Sequence, residues 1–176
     1  MGHVIMMEMK SSNQIYGILP YVAPEVLRVE NYSTASDIYS FGIIMNTLAT
    51  GRRPWYNRAH DINLSKDICD GNRLEIPEDT PKFYAELMQQ CWDNDPEKRP
   101  TASYLDEKLR EWINLICYYP SSEISGENSV AEEKRRKMIK HIHPEIHPEA
   151  YYTSRSLYFP ELSNYQTTMT NYHGNF

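Results

Sequence analysis

Cysteine is scarce in this 176-residue chain, base is outnumbered by acid, and long apolar runs are absent. The three cysteines, Cys69, Cys91 and Cys117, lie far apart and form no CxxC pair, so neither a disulfide framework nor a zinc knuckle is indicated. Each is expected on the apolar face of a helix, where a reduced thiol behaves as a small hydrophobe, and a reducing compartment follows. The 18 Lys and Arg are set among 24 Asp and Glu, a formal net charge of -6. That excludes the basic field with which a nucleic-acid-binding surface replaces counterions. No apolar stretch approaches the roughly 20 residues that cross a bilayer, and Met1 to Lys10 has no basic region ahead of its short apolar stretch. Gly2 follows Met1, but Met6 stands where a myristoylation signal has Ser or Thr. The chain therefore reads as soluble and cytoplasmic, with no nucleic acid and no membrane among its partners.

What is present supports a packed core: 40% of residues are hydrophobic and 12% aromatic. The length suits one domain with a tail. Residues 1–20 have no hydrophobic period and are broken by Ser11-Ser12-Asn13, Gly17 and Pro20. Thr34 with Asp37 three positions on reads as a capping box opening a helix that runs to Thr50, with Gly51 as its left-handed cap. Ile38, Tyr39, Phe41, Ile43, Ile44, Met45 and Leu48 point almost all round that helix, which predicts a central element buried on every side.

Further helices are expected over Asp61–Cys69, then from Thr80 as cap and Pro81 as first helical residue to a stop before Pro96. In the latter, Phe83, Tyr84, Leu87, Met88, Cys91 and Trp92 form an amphipathic face. A last helix starts near Thr101, its stripe of Tyr104, Leu105, Leu109, Trp112, Ile113 and Ile116 pointing inward. Four helices without a clear strand make an all-α layer over residues 34–117. From Tyr118 onward, where seven of the 14 tyrosines lie, the pattern gives way to Pro, Ser and Gly and a charged run, a flexible tail with one or two short helices.

Three motifs in fixed order resemble the large lobe of protein kinases: Gly17-Ile-Leu-Pro-Tyr-Val-Ala-Pro-Glu25, Asp37-Ile-Tyr-Ser-Phe-Gly42, and Cys91-Trp-Asp-Asn-Asp-Pro-Glu-Lys-Arg-Pro100. The resemblance covers residues 16 to about 117 and implies a mainly α fold. The expected architecture is the helical large lobe of the protein kinase-like fold without its small β-rich lobe, followed by a mostly irregular C-terminal tail. Residues 1–20 would be a remnant of the activation segment, 21–117 the helical lobe and 118–176 the tail.

In that family Ala23-Pro24-Glu25 closes the activation segment, and its glutamate pairs with the arginine matched here by Arg99. Taken without the family, Glu25 and Arg99 are two charges far apart in sequence, worth little even if they met on a surface. By the same resemblance Asp37 would hold the backbone of the catalytic loop, Gly42 completes its motif, and Trp92 would fill the core near the ion pair. Considered alone, Asp37 is a carboxylate favoured by a helix N-terminus. Gly17, Ile18, Leu19, Pro20 and Tyr21 would form the loop that meets the substrate. Kinases specific for Ser and Thr usually carry Thr where Ile18 stands, while Pro54-Trp55 and Cys91-Trp92-Asp93 lean towards the tyrosine-kinase-like branch, so Ser/Thr against Tyr specificity is open.

Phosphoryl transfer requires metal-held phosphates, a lysine on the nucleotide and an aspartate that accepts the substrate proton. The sequence contains no glycine-rich loop, no Val-Ala-Ile-Lys, no His-Arg-Asp and no Asp-Phe-Gly. ATP and Mg belong to the complete family domain; for this chain alone no cofactor, no metal and no catalytic residue is expected, and no phosphate transfer. The alternative is a non-catalytic, pseudokinase-like binding module, and either way a protein partner or the missing kinase lobe is implied. His141, His143 and His147 lack the further ligands of a zinc site, and Lys134-Arg-Arg-Lys137 reads as a solvated helix face rather than an import signal.

Overall fold

The computed structural model describes residues 15–139 and 145–162. Its elements run in order β1 (Ile15–Gly17), a 3-10 turn (Leu19–Tyr21), α1 (Pro24–Leu27), α2 (Thr34–Thr50), α3 (Ile62–Cys69), α4 (Lys82–Cys91), a 3-10 turn (Pro96–Lys98), α5 (Ala102–Tyr118), α6 (Glu123–Ile139), β2 (Arg155–Leu157) and a final 3-10 turn (Pro160–Leu162). The expected helical lobe is present, and three of these elements, α6, β2 and the final 3-10 turn, lie in the stretch expected to be a flexible tail with one or two short helices.

Helix α2 begins one residue away from the sequence expectation. Ser33, not Thr34, is the cap, and the reciprocal box is Ser33 with Ser36 instead of Thr34 with Asp37. The Ser33 amide donates to Ser36 Oγ at 3.2 Å, so a second hydroxyl does what the carboxylate was expected to do. Gly51 ends the helix at φ 65, where a Cβ is disfavoured. The helix is not buried all round. Tyr39, Ile43 and Met45 are in the core, whereas Ile44 is 43% and Leu48 63% exposed. The polar Asn46 is buried instead, donating from Nδ2 to the Glu75 carbonyl at 2.9 Å, which satisfies an amide that would otherwise be costly to desolvate.

The principal packing is α2 on α4. Gly42 makes it possible: a Cβ there would lie 2.9 Å from Cys91 Cβ and 3.2 Å from the Trp92 nitrogen. Tyr84 reaches across, its hydroxyl donating to the Met45 carbonyl at 2.9 Å. Helix α4 starts at Lys82 with Pro81 as cap, one residue later than expected, and its free Lys82 amide is met by the Glu127 carboxylate of α6 at 2.9 Å. Asp61 caps α3 by accepting the Asn63 and Leu64 amides. Thr101 caps α5 by accepting the Tyr104 amide. On α5, Leu105 and Trp112 face inward as expected, with Phe83 edge-on to Trp112 at 4.8 Å. Tyr104 and Ile113 belong to the exposed side, because a single supporting layer covers less of the helix than the stripe spans.

Cys69 and Cys91 are buried, and burial pushes their thiols up to about 11 and about 12, so they are inert hydrophobes. Cys117 is exposed rather than on the packed face.

Candidate functional site

In the segment from Gly17 to Glu25, the Leu19–Tyr21 turn packs on α2. Gly17 ends β1. Ile18 is half-buried, and its carbonyl accepts the Tyr21 amide at 2.9 Å to close the turn. Leu19 and Pro20 are buried. The Tyr21 carbonyl accepts Ser40 Oγ at 2.7 Å, and the Tyr21 phenol, raised by burial against an opposing hydrogen bond with Thr47, also contacts α2. Ala23 is buried, and Pro24 gives α1 its first residue, where the missing amide hydrogen has no helical partner to lose.

Glu25 then enters the core and meets Arg99. Arg99 Nη1 and Nη2 donate to Glu25 Oε1 and Oε2, each at 2.8 Å, with side-chain exposures of 0% and 3% for Arg99 and Glu25. The rest of the guanidinium is also satisfied: Nε donates to the Asp93 carbonyl at 2.8 Å and Nη1 to the Ala35 carbonyl at 2.9 Å. Ser36 Oγ donates to Glu25 Oε1 at 2.8 Å. Burial alone would raise the Glu25 carboxyl, but the hydrogen bonds and charge of Arg99, with Ser36, hold it below the usual range. A fork against two oxygens is the geometry for which arginine is suited.

Tyr39 lies against this pair, wholly buried, with the Arg99 and Arg73 guanidinium carbons 5.3 and 5.2 Å from its ring centre. Arg73 is itself anchored, Nε donating to the Trp92 carbonyl at 2.7 Å and Nη1 to the Ile68 carbonyl at 2.9 Å. Trp92 is buried. Asp37, in contrast, is exposed and accepts the Tyr32 hydroxyl; burial, then that contact and the carboxylate charge, push Tyr32 up to about 12.

The structure thus brings Glu25 to Arg99 directly after Ala23 and Pro24, sets Gly42 against the Trp92 backbone, and leaves Asp37 exposed. Sequence reasoning missed Ser36, Tyr39 and Arg73. A serine three positions after Ser33 was the available signal for the first, while Tyr39 and Arg73 gave no local one. The Glu25–Arg99 fork holds the end of the Gly17–Glu25 segment in place. Among the described residues no three His, Cys, Asp or Glu side chains gather to hold a metal. Of the histidines weighed for zinc, His141 and His143 lie outside the described residues, and the His147 amide donates to the Tyr56 carbonyl at 2.8 Å. Lys137 and Arg135 of the basic run pair with Glu133 and Glu132 along α6. No described helix is long and apolar enough to cross a membrane.

The profile of the family described as protein tyrosine and serine/threonine kinase matches residues 5–109. A probable serine/threonine-protein kinase of Dictyostelium discoideum is 34% identical over 124 residues, covering 70% of this chain and 7% of that protein. A serine/threonine-protein kinase of Arabidopsis thaliana is 39% identical over 113 residues, 63% of this chain and 14% of its own length. The insulin receptor-related protein of Cavia porcellus is 34% identical over 116 residues, 62% of this chain and 9% of its own. The chain spans a small part of each of these relatives.

Proposed function

Because the chain belongs to the protein tyrosine and serine/threonine kinase family, we propose that it is the helical, substrate-facing lobe of a protein kinase and that by itself it transfers no phosphate. The parent activity would be ATP-dependent phosphorylation of protein Ser or Thr, or of Tyr, in cytoplasmic signalling. The observation that carries this reading is the buried Glu25–Arg99 fork, which anchors the end of the segment whose Gly17–Tyr21 loop, bound to α2 through Ser40, would meet a protein substrate. The chemistry of transfer depends on positioning and on charge stabilisation of the moving phosphoryl group. The 176 residues carry no glycine-rich loop, nucleotide-binding lysine strand or His-Arg-Asp loop to supply these.

A second reading, a non-catalytic binding module, is favoured by the exposed Leu48 on α2 and Ile113 on α5, which line one cleft, since clustered exposed apolar residues mark an uncovered interface. Thermal melting with and without ATP and Mg, beside a transfer assay on a generic Ser, Thr and Tyr substrate, tests the leading reading. No change in Tm and no transfer are expected. A nucleotide-induced rise in Tm would overturn it, because a ligand that binds the folded state stabilises it.

A further inference from the structure

The strand β1 leads directly into the Gly17–Tyr21 loop, and its edge is occupied. Strand β2 pairs with it antiparallel, with Ile15 opposite Leu157, Tyr16 opposite Ser156 and Gly17 opposite Arg155. An exposed strand edge is a template for any extended segment, because main-chain hydrogen bonds supply affinity regardless of side chain.

The residues around β2 lie along a second surface, the loop Pro54–Asp61. The His60 amide donates to the Glu149 carbonyl at 2.9 Å, His60 Nδ1 contacts the Tyr151 carbonyl at 2.9 Å, and the Tyr152 hydroxyl donates to the Pro54 carbonyl at 2.9 Å. The Arg155 guanidinium donates to the His60 carbonyl. Leu157 and Leu162 are 2% and 0% exposed, whereas Ser156 between Arg155 and Leu157 faces solvent. The loop that receives them is itself constrained, with Trp55 at φ 54, a conformation a bulky residue rarely adopts. Most of these contacts are made by backbone atoms or by two leucines, so another extended chain with an aliphatic residue in the Leu157 position could make them too.

We propose that residues 145–162 form an intramolecular strap that competes with an extended segment of a protein substrate for the edge of β1. The proposal rests on the kinase-lobe reading and adds its regulation: the edge beside the substrate loop is closed while the strap is seated. The matching segment has an Arg, an outward-facing residue and a Leu in succession, as Arg155, Ser156 and Leu157 do.

The test uses the full chain and Ser156→Pro, at an exposed position, since proline cannot donate to a strand ladder. Amide exchange is read at His60 and His147, whose partners lie across the strap contact, and at Leu27 and Arg99, which report the lobe. The probe is a labelled synthetic peptide of the chain's own residues 145–162. The variant should lose protection at His60 and His147, keep it at Leu27 and Arg99, and bind the peptide about tenfold or more tighter than the unaltered chain, whose competent fraction is small. Peptide binding should restore protection at His60.

Unchanged exchange at His60 and His147 would overturn the proposal, as would faster exchange without tighter peptide binding. Loss of protection at Leu27 and Arg99 as well would make the strap an integral part of the core, which also overturns it. No arm reads phosphate transfer, so failure here leaves the lobe reading standing, and nucleotide-induced stabilisation would refute that reading without touching the strap.

Discussion

The Arg99 guanidinium meets both oxygens of Glu25 at 2.8 Å while its Nε donates to the Asp93 carbonyl, so one planar group ties the end of the Gly17–Glu25 segment to the turn before α5. Removing either partner leaves a desolvated charge without its counterion. Arg99→Ala or Glu25→Ala should cost about 3–5 kcal/mol in urea unfolding. Arg99→Lys should recover little of it, because an ammonium cannot span two oxygens and two carbonyls at once. Arg110→Ala, which breaks an exposed pair with Asp106, should leave the midpoint unchanged.

Acid should act on the same pair. The Glu25 carboxyl is held below its ordinary value in the folded state, so its stabilisation is complete above the unfolded value of about 4.3 and is lost as pH falls through the folded one. Midpoints measured over that range should fall with acid more steeply in the unaltered chain than in Glu25→Gln.

At Gly42 the neighbours are Cys91 Cβ and backbone atoms of α4, which cannot swing aside. Gly42→Ala should therefore push α2 from α4 and cost about 1–3 kcal/mol, despite the better helix propensity of alanine. Thermal or urea unfolding monitored by circular dichroism checks this.

Tyr39 keeps a hydroxyl without a hydrogen-bond partner among the described residues. Tyr39→Phe retains the ring between the Arg73 and Arg99 guanidinium groups and removes the unsatisfied oxygen. A gain of up to about 1 kcal/mol in unfolding free energy is expected.

His60 gives the strap a pH dependence. Burial lowers its imidazole, outweighing contacts with the Tyr151 and Trp55 carbonyls, and the nearby Arg155 and Arg58 charges add to the lowering. A released His60 takes up a proton before a buried one does, so strap docking should be strongest above about pH 6.5 and weaken as pH falls below it. Exchange at the His147 amide, corrected for intrinsic rate, should quicken in that window while the Arg99 amide is unaffected.

Much of the lobe was legible because its signals are local or strongly periodic. The face of α4 from Phe83 to Trp92 and the start of α5 near Thr101 follow from the local pattern, and the Glu25–Arg99 pair followed from the family resemblance that three motifs in order carry. Asp37 misled because a carboxylate three residues after Thr34 fits a capping box as well as Ser36 does after Ser33. Helix α6 was not read as a long helix, since it has no sustained apolar stripe and is braced by pairs such as Arg135 with Glu132 and Lys137 with Glu133. Strands of three residues carry too few alternations to register, and β1 with β2 exist only because each finds the other. The seating of Leu157 and Leu162 depends on Pro54–Asp61, a loop whose conformation no nearby residue declares.

The pairing of β1 with β2 joins residues near opposite ends of the described chain, so it closes the longest loop in the fold. Such contacts contribute only after most of the chain's entropy has been lost, and they form after the local helices. On a ribosome, the helices up to α5 are synthesised before Arg155 to Leu157 emerge. A newly made chain therefore passes through an interval in which β1 lacks β2, the moment at which another extended polypeptide, including a neighbour from the same message, could dock there before Arg155 to Leu157 arrive.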